Sequence, residues 1–218
     1  MTNSTAKTPA GGAIPEQRSS RGHAVPHSAL MRIMYGPYDY IHPDRRRATG
    51  VALDQLPRSV ANQLLIERNA LDTCIDFKLP DNPYLQLCVA HWSRLPRICF
   101  LMGARRLRAA LVEQRRYLHL DRIAQRFACM PVAIEAAASE DPGPDDSDVL
   151  SAGIATMAIA LRRLPKPLLP RLALLFPQTF EFELWKRLEH RVESAATWNP
   201  SLFTFAIRYA LLEPASLS

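Results

Sequence analysis

The stretch NPYLQLCVAHWSRLPRICFLMGARRLRAALVEQRRYLHLDRIAQRFACM, Asn82 to Met130, decides how this chain is read. Leu95, Ile98, Leu101 or Met102, Ala104 or Arg105, Leu107 or Arg108, and Leu111 recur at steps of three and four. Side chains so spaced share one side of a helix, whereas a strand repeats every second residue, so the spacing predicts an amphipathic helix. Pro96 fits its first turn, where a missing N–H is not needed. Ser93 is the expected N-cap, its hydroxyl accepting one of the free N–H groups.

Nine arginines lie between Arg94 and Arg126. On a helical wheel Arg94, Arg97, Arg105, Arg108 and Arg115 fall near one another. One reading is a solvated face whose aliphatic stems cover apolar neighbours. The other is a docking face for an acidic partner, because guanidinium forks match carboxylates. Arg97, Arg105, Arg108 and Arg115 are the candidate partner-binding residues, and only the density of charge separates the two readings.

Working outward, residues 84–92 predict a short helix with Leu85, Cys88, Val89 and Trp92 buried. Upstream, a helix is expected from about Ser59 to Phe77, with Val60, Leu64, Leu71 and Cys74 or Ile75 on one face. Pro80 and Pro83 then turn the chain. Residues 35–43 crowd tyrosines and His42 around Gly36-Pro37 and predict an irregular arm packed on the helical body. His42 there reads as packing and not as a catalyst, since no second His or Cys stands near it. Residues 1–30 are rich in Ser, Thr, Ala, Gly and Pro and predict a disordered leader.

Downstream, Asp121 is placed to cap a helix with Ile123, Ala124, Phe127 and Ala128 on its apolar side. Residues 135–148 gather Glu135, Glu140, Asp141, Asp145, Asp146 and Asp148 around Pro142-Gly143-Pro144, and predict an acidic linker. Val149 to Leu164 is apolar nearly all round, with alanines and Gly153 suited to close packing, and Arg162 and Arg163 at its C-terminal end. Shorter helices are expected at Leu169–Phe176 and at Glu181–Ser194, the latter burying Phe182, Trp185, Leu188 and Val192. Asn199 and Pro200 mark the N-cap and N1 of a last helix with Leu202, Phe205, Ala206, Tyr209 and Ala210 as its stripe. The expectation is an all-α fold of about seven helices, with one subdomain over 31–134 and another over 149–213.

With 218 residues, 48% hydrophobic and 22% charged, the composition is that of an ordinary soluble chain. The net charge of +6 and pI near 9.4 permit nucleic acid, anionic lipid or an acidic protein as partner. No segment approaches the roughly 20 apolar residues that span a bilayer. Cys74, Cys88, Cys99 and Cys129 form no CxxC pair and read as buried free thiols; Cys88 and His91, three apart, are half a metal site with nothing to answer them. No phosphate-binding glycine loop, HExxH or GxSxG occurs. No cofactor is implied and enzyme chemistry is not expected. A basic nucleic-acid-binding or regulatory protein is the alternative class. Against it, the first turn of the basic helix is half apolar, and Asp121 would put a carboxylate where phosphate must sit.

Trp92, Leu95, Pro96, Arg97 and Gly103, within AHWSRLPRICFLMGARRLRAALVEQ, resemble the central signature of the YscK/PscK-type proteins, the SctK component of bacterial type III secretion machines. Tyr40-Ile41-His42-Pro43 is similar to the Tyr–His–Pro element with which that family opens. The resemblance covers roughly residues 35–130. It implies a cytoplasmic, non-enzymatic adaptor of the sorting platform beneath the injectisome, peripheral to the inner membrane. Its implied partners are the cytoplasmic domain of the inner-membrane ring protein and the pod protein that carries the ATPase complex.

Overall fold

A computed structural model describes residues 27–131, 145–189 and 198–212. Among them the chain forms helices α1 (His27–Tyr35), α2 (Pro43–Ala48), α3 (Arg58–Arg68), α4 (Pro83–Ala90), α5 (Leu95–Arg106), α6 (Arg108–Glu113), α7 (Arg122–Ala128), α8 (Asp146–Leu161), α9 (Leu169–Leu174), α10 (Glu181–Glu189) and α11 (Pro200–Ala210). Short 3-10 turns join many of them, and the described residues hold no strand. The fold is all-α. Eleven helices stand among the described residues where about seven were expected, because α1 and α2 fall in stretches read as leader and irregular arm, and α6 was read as the end of the helix that opens at Leu95.

Helix α5 is the centre. Leu95, Ile98, Cys99, Leu101, Met102, Gly103 and Ala104 are all buried on it, so it is wrapped on most sides and is not the half-solvated helix its period suggested. Helix α8 crosses it at backbone contact. A Cβ at Gly103 would stand 1.7 Å from the Val149 carbonyl oxygen, and one at Gly153 would stand 1.7 Å from the Cys99 carbonyl oxygen. Each glycine thus makes room for the other helix's backbone, a distance no other residue permits. Helices α7 and α11 pack on α5 as well, and α10 packs on α8. One hydrophobic cluster runs from Ile33 through Trp92 and Phe127 to Leu161 and Phe203, so the two expected subdomains share a single core. A satellite cluster around Ile41, Leu53, Ala61 and Leu65 joins α3 to the turns that precede it.

Several boundaries move. Helix α1 begins at His27, inside the stretch expected to be disordered through residue 30, and buries Ile33 and Met34; residues 1–26 lie outside the described part. The helix expected over 59–77 ends at Arg68, where Ala70 turns left-handed at φ 46°. Its buried face is Ala61, Leu65 and Ile66, whereas Val60 is exposed. Ser93 does not cap α5: it belongs to a 3-10 turn, Trp92–Arg94, that leads straight into the helix. Three of the supposed linker acids belong to α8. Asp145 and Asp148 form a reciprocal capping box, and Asp146 and Asp148 meet the positive end of the helix dipole. The linker acids before residue 145 lie outside the described residues. So does Val192, and Phe182 is exposed. Asn82, Asp121 and Asn199 cap α4, α7 and α11 through their side-chain oxygens, the last two as their sequence positions predict.

Candidate partner-binding surface

Two populations of arginine stand out. The first caps helices from a distance. The last carbonyls of a helix have no partner within it and carry its negative end, so a guanidinium donor satisfies both needs. Arg171, fully buried on α9, donates to the Met34 carbonyl of α1 at 2.8 Å and to that of Pro167 at 2.8 Å. Arg68 reaches the carbonyls of Ala48 and Thr49 at the end of α2, at 3.3 and 2.7 Å. Arg162 donates to Leu188 and Arg187 of α10 at 2.5 and 2.9 Å, so it serves another helix and not the end of its own. Arg94 donates to the Ala210 carbonyl that closes α11. Arg45 spans the Phe176 carbonyl at 2.7 Å and Glu181 at 2.8 Å. Much of the basic composition is therefore architectural.

The second population lies between residues 105 and 126, where seven arginines face two carboxylates, Glu113 and Asp121. The candidate residues are not equivalent here. Arg97 is held inward: its Nη2 pairs with Asp121 at 2.7 Å and its guanidinium stands 5.4 Å from the Phe100 ring centre. Burial would lift the Asp121 pKa, but the Arg97 hydrogen bond, the backbone N–H groups of Ala124 and Ile123 and the Arg97 charge outweigh it and hold the carboxyl below its ordinary range. Arg105 is half-buried, and burial followed by the charge of Arg108 lowers its pKa. Arg108 opens α6 and Arg115 follows its end; both are exposed and neither guanidinium forms a hydrogen bond or ion pair with the described residues. The single wheel drawn from Arg94 to Arg115 does not exist, because the helix breaks at Leu107.

Sequence reasoning missed the apolar members of this surface. Val112 on α6 is 52% exposed and Leu118, on the 3-10 turn Arg116–His119, is 75% exposed. The turn is nevertheless clamped. Gln125 of α7 donates to the Leu120 carbonyl at 2.8 Å, with longer contacts to the carbonyls of Leu118 and Tyr117 at 3.3 and 3.4 Å. Tyr117 donates in return to the Gln125 carbonyl at 2.9 Å. Arg115 enters the turn at φ 61°, the left-handed position that usually falls to glycine or asparagine after a helix. Nothing in the spacing of Tyr117, Leu118 and His119 announces that Leu118 faces solvent.

The signature residues gather elsewhere. Tyr40 donates its hydroxyl proton to the Ile33 carbonyl at 2.9 Å and meets Trp92 edge-to-face at 6.2 Å. Burial drives the Tyr40 pKa up, with the Arg171 charge opposing. His42 caps α2: its Nδ1 accepts from the Asp44 N–H at 3.2 Å, with Pro43 in the first helical position. The same Nδ1 is 3.5 Å from the Asp44 carboxylate, an ion pair only if the ring is protonated. Burial first, then Arg45 and Arg47, lower its pKa against the pull of Asp44, so the neutral cap is the governing form. Trp92 and Leu95 are buried, Pro96 sits in the first turn of α5, and Gly103 makes the α8 crossing. Cys88 and Cys99 are buried, and burial pushes the Cys88 thiol up to about 12; Cys74 and Cys129 are exposed, contrary to the expectation of buried thiols. Among the described residues no group of three or more His, Cys, Asp or Glu could hold a metal, and no helix is long and apolar enough to cross a membrane.

The profile of bacterial type III secretion apparatus proteins of the OrgA_MxiK family matches residues 30–212. The chain is 32% identical to the oxygen-regulated invasion protein OrgA of Salmonella typhimurium strains LT2, SL1344 and 14028s. That match runs over 155 residues, 69% of this chain and 75% of the relative. No solved structure matches.

Proposed function

The chain belongs to the OrgA_MxiK family of bacterial type III secretion apparatus proteins, the SctK-type component that the central signature resembles, and we propose that within that apparatus it is a non-enzymatic adaptor. It works on the cytoplasmic side, peripheral to the inner membrane, and bridges the cytoplasmic domain of the ring protein to the pod protein of the ATPase complex.

One observation carries this reading. The arginines that build the fold are occupied by helix ends, yet Arg108 and Arg115 stand exposed with no acidic partner among the described residues. With Arg105 beside them they form a surface suited to a carboxylate-bearing protein. Arg97, turned onto Asp121, positions α7 beneath that surface. Exposed rim charges act mainly on association rate and salt dependence, whereas breaking a pair desolvated in the complex costs roughly 2–5 kcal/mol.

The test is affinity capture of tagged wild type from its native cell beside the Arg105→Glu/Arg108→Glu double variant. Recovery of ring and pod proteins by wild type, with one of them lost by a variant whose circular dichroism is unchanged, supports the adaptor and its surface. Equal recovery by both rejects the arginine surface. Recovery of nucleic acid in place of secretion proteins rejects the adaptor.

A further inference from the structure

The exposed leucine among the arginines narrows what the partner segment must be. Leu118 is 75% exposed although the turn that bears it is fixed by Gln125 and Tyr117. A leucine on a clamped turn differs from one on a loose loop, because its backbone is already ordered before anything binds. Val112 lies four residues after Arg108 on α6, and residues four apart share a helical face. Helix α6 and the Arg116–His119 turn pack on each other, so Val112 and Leu118 are exposed apolar side chains on two touching elements. Arg108, Arg115, Arg122 and Arg126, on α6, beside the turn and on α7, are exposed, and their guanidinium groups are unpaired among the described residues.

We infer that the surface from Arg108 to Arg122 is a preorganised dock for an acidic, amphipathic segment of a protein partner. The segment's apolar side chains cover Leu118 and Val112, and its carboxylates engage Arg108, Arg115 and Arg122. Charge complementarity selects the sign of the occupant. The two apolar side chains select protein over nucleic acid, since a phosphate backbone gains nothing from leucine or valine, while an interface core enriched in apolar contact gains most of its energy there. Arg115 stands left-handed at φ 61°, where glycine would carry less strain, so the turn itself does not ask for an arginine.

This inference rests on the adaptor reading, and one experiment separates the two. Purified full-length chain is titrated with the purified cytoplasmic domain of the ring protein and, separately, with the purified pod protein. One of them binds wild type, and Leu118→Asp weakens that binding at least tenfold with the melting temperature unchanged. Arg115→Gly raises the melting temperature, because the turn relaxes, yet weakens the same binding. Phe182→Asp, at a side chain 79% exposed on α10, leaves it as in wild type. Binding that survives Leu118→Asp overturns the dock while the adaptor stands. Failure of both proteins to bind wild type removes the adaptor and the dock together. A dimer of this chain that Leu118→Asp dissociates, or mixed-sequence duplex DNA bound as tightly as either protein at physiological salt, also overturns it.

Discussion

Helices α5 and α6 are separated by one residue, Leu107, and both carry arginines, yet they meet opposite surroundings. Helix α5 buries side chains on most of its circumference and touches α8 backbone to backbone at Gly103 and Gly153. Helix α6 buries only Ala110 and Leu111 and leaves Arg108 and Val112 to solvent. The same residue type therefore has two roles: near the core Arg94 closes α11 and Arg97 pairs with Asp121, whereas the guanidinium of Arg108 on α6 faces outward with no partner among the described residues. Charge counted along the sequence cannot distinguish them. Carbonyl acceptors at helix ends can.

If the crossing is what the comparison claims, filling it has the largest effect of any change here. The atoms that a Cβ at Gly103 would strike belong to the backbone of Val149 and Gly153, which cannot rotate away. Gly103→Val is expected to exceed about 5 kcal/mol, comparable to the whole stability of a typical domain, and to give no soluble folded protein. A normal melting curve for this variant would mean that α5 and α8 are not in backbone contact.

Trp92→Ala comes next. Trp92 is 4% exposed and links the Tyr40 turn to the core, so truncation should cost about 3–5 kcal/mol by chemical denaturation. Its indole N–H is buried and forms no hydrogen bond among the described residues. Trp92→Phe should then recover much of the loss, because the ring matters there and the donor does not. Equal damage from both substitutions would assign the indole N–H a partner.

Arg171→Met tests the distant caps. It keeps much of the side-chain volume but leaves the carbonyls of Met34 and Pro167 without their donor. Each buried acceptor left unsatisfied costs roughly 1–3 kcal/mol, offset in part because no buried charge remains. Hydrogen exchange should speed up in α1 before α5. Uniform acceleration across both would show that Arg171 supports the core as a whole.

Helix type, the Asp121 and Asn199 caps and the small-residue packing of α8 were legible because they depend on neighbours three or four residues away. The α5 period located a helix but not its burial, since α8, α7 and α11 arrive from distant sequence to cover the sides that charge alone would leave wet. Ala70 ended α3 without glycine or proline to announce it, and so the predicted helix ran on to Phe77. At the candidate surface Arg105, Arg108 and Arg115 were legible by type. Leu118 was not, because its exposure is decided by Gln125 on the next helix, and the Arg97 pairing needed Asp121 brought back across 24 residues.

Asp121 joins the two regions and carries the smallest expected effect. One oxygen, Oδ1, accepts from the N–H groups of Ile123 and Ala124 at 2.9 Å each and from Arg97 at 2.7 Å. Asp121→Ala removes a helix cap, for about 1 kcal/mol. Asp121→Asn keeps an acceptor for α7 and loses only the charge, and a pair whose carboxylate is 47% exposed contributes little. Asparagine should therefore restore most of the stability that alanine loses. The remaining gap between wild type and Asp121→Asn depends on pH with a definite sign. The folded pKa lies below the ordinary 3.8, so in acid the unfolded chain takes up the proton first. The carboxylate's contribution is complete above that ordinary value and disappears as pH falls through the lower folded one. Urea unfolding of both proteins from pH 6 downward should show the gap closing in that window. A gap that widens on acidification would mean that Arg97 does not hold Asp121 ionised. The turn bearing Leu118 would then lose the charge-based link between α7 and α5, and Gln125 and the α7 cap would be left to hold it.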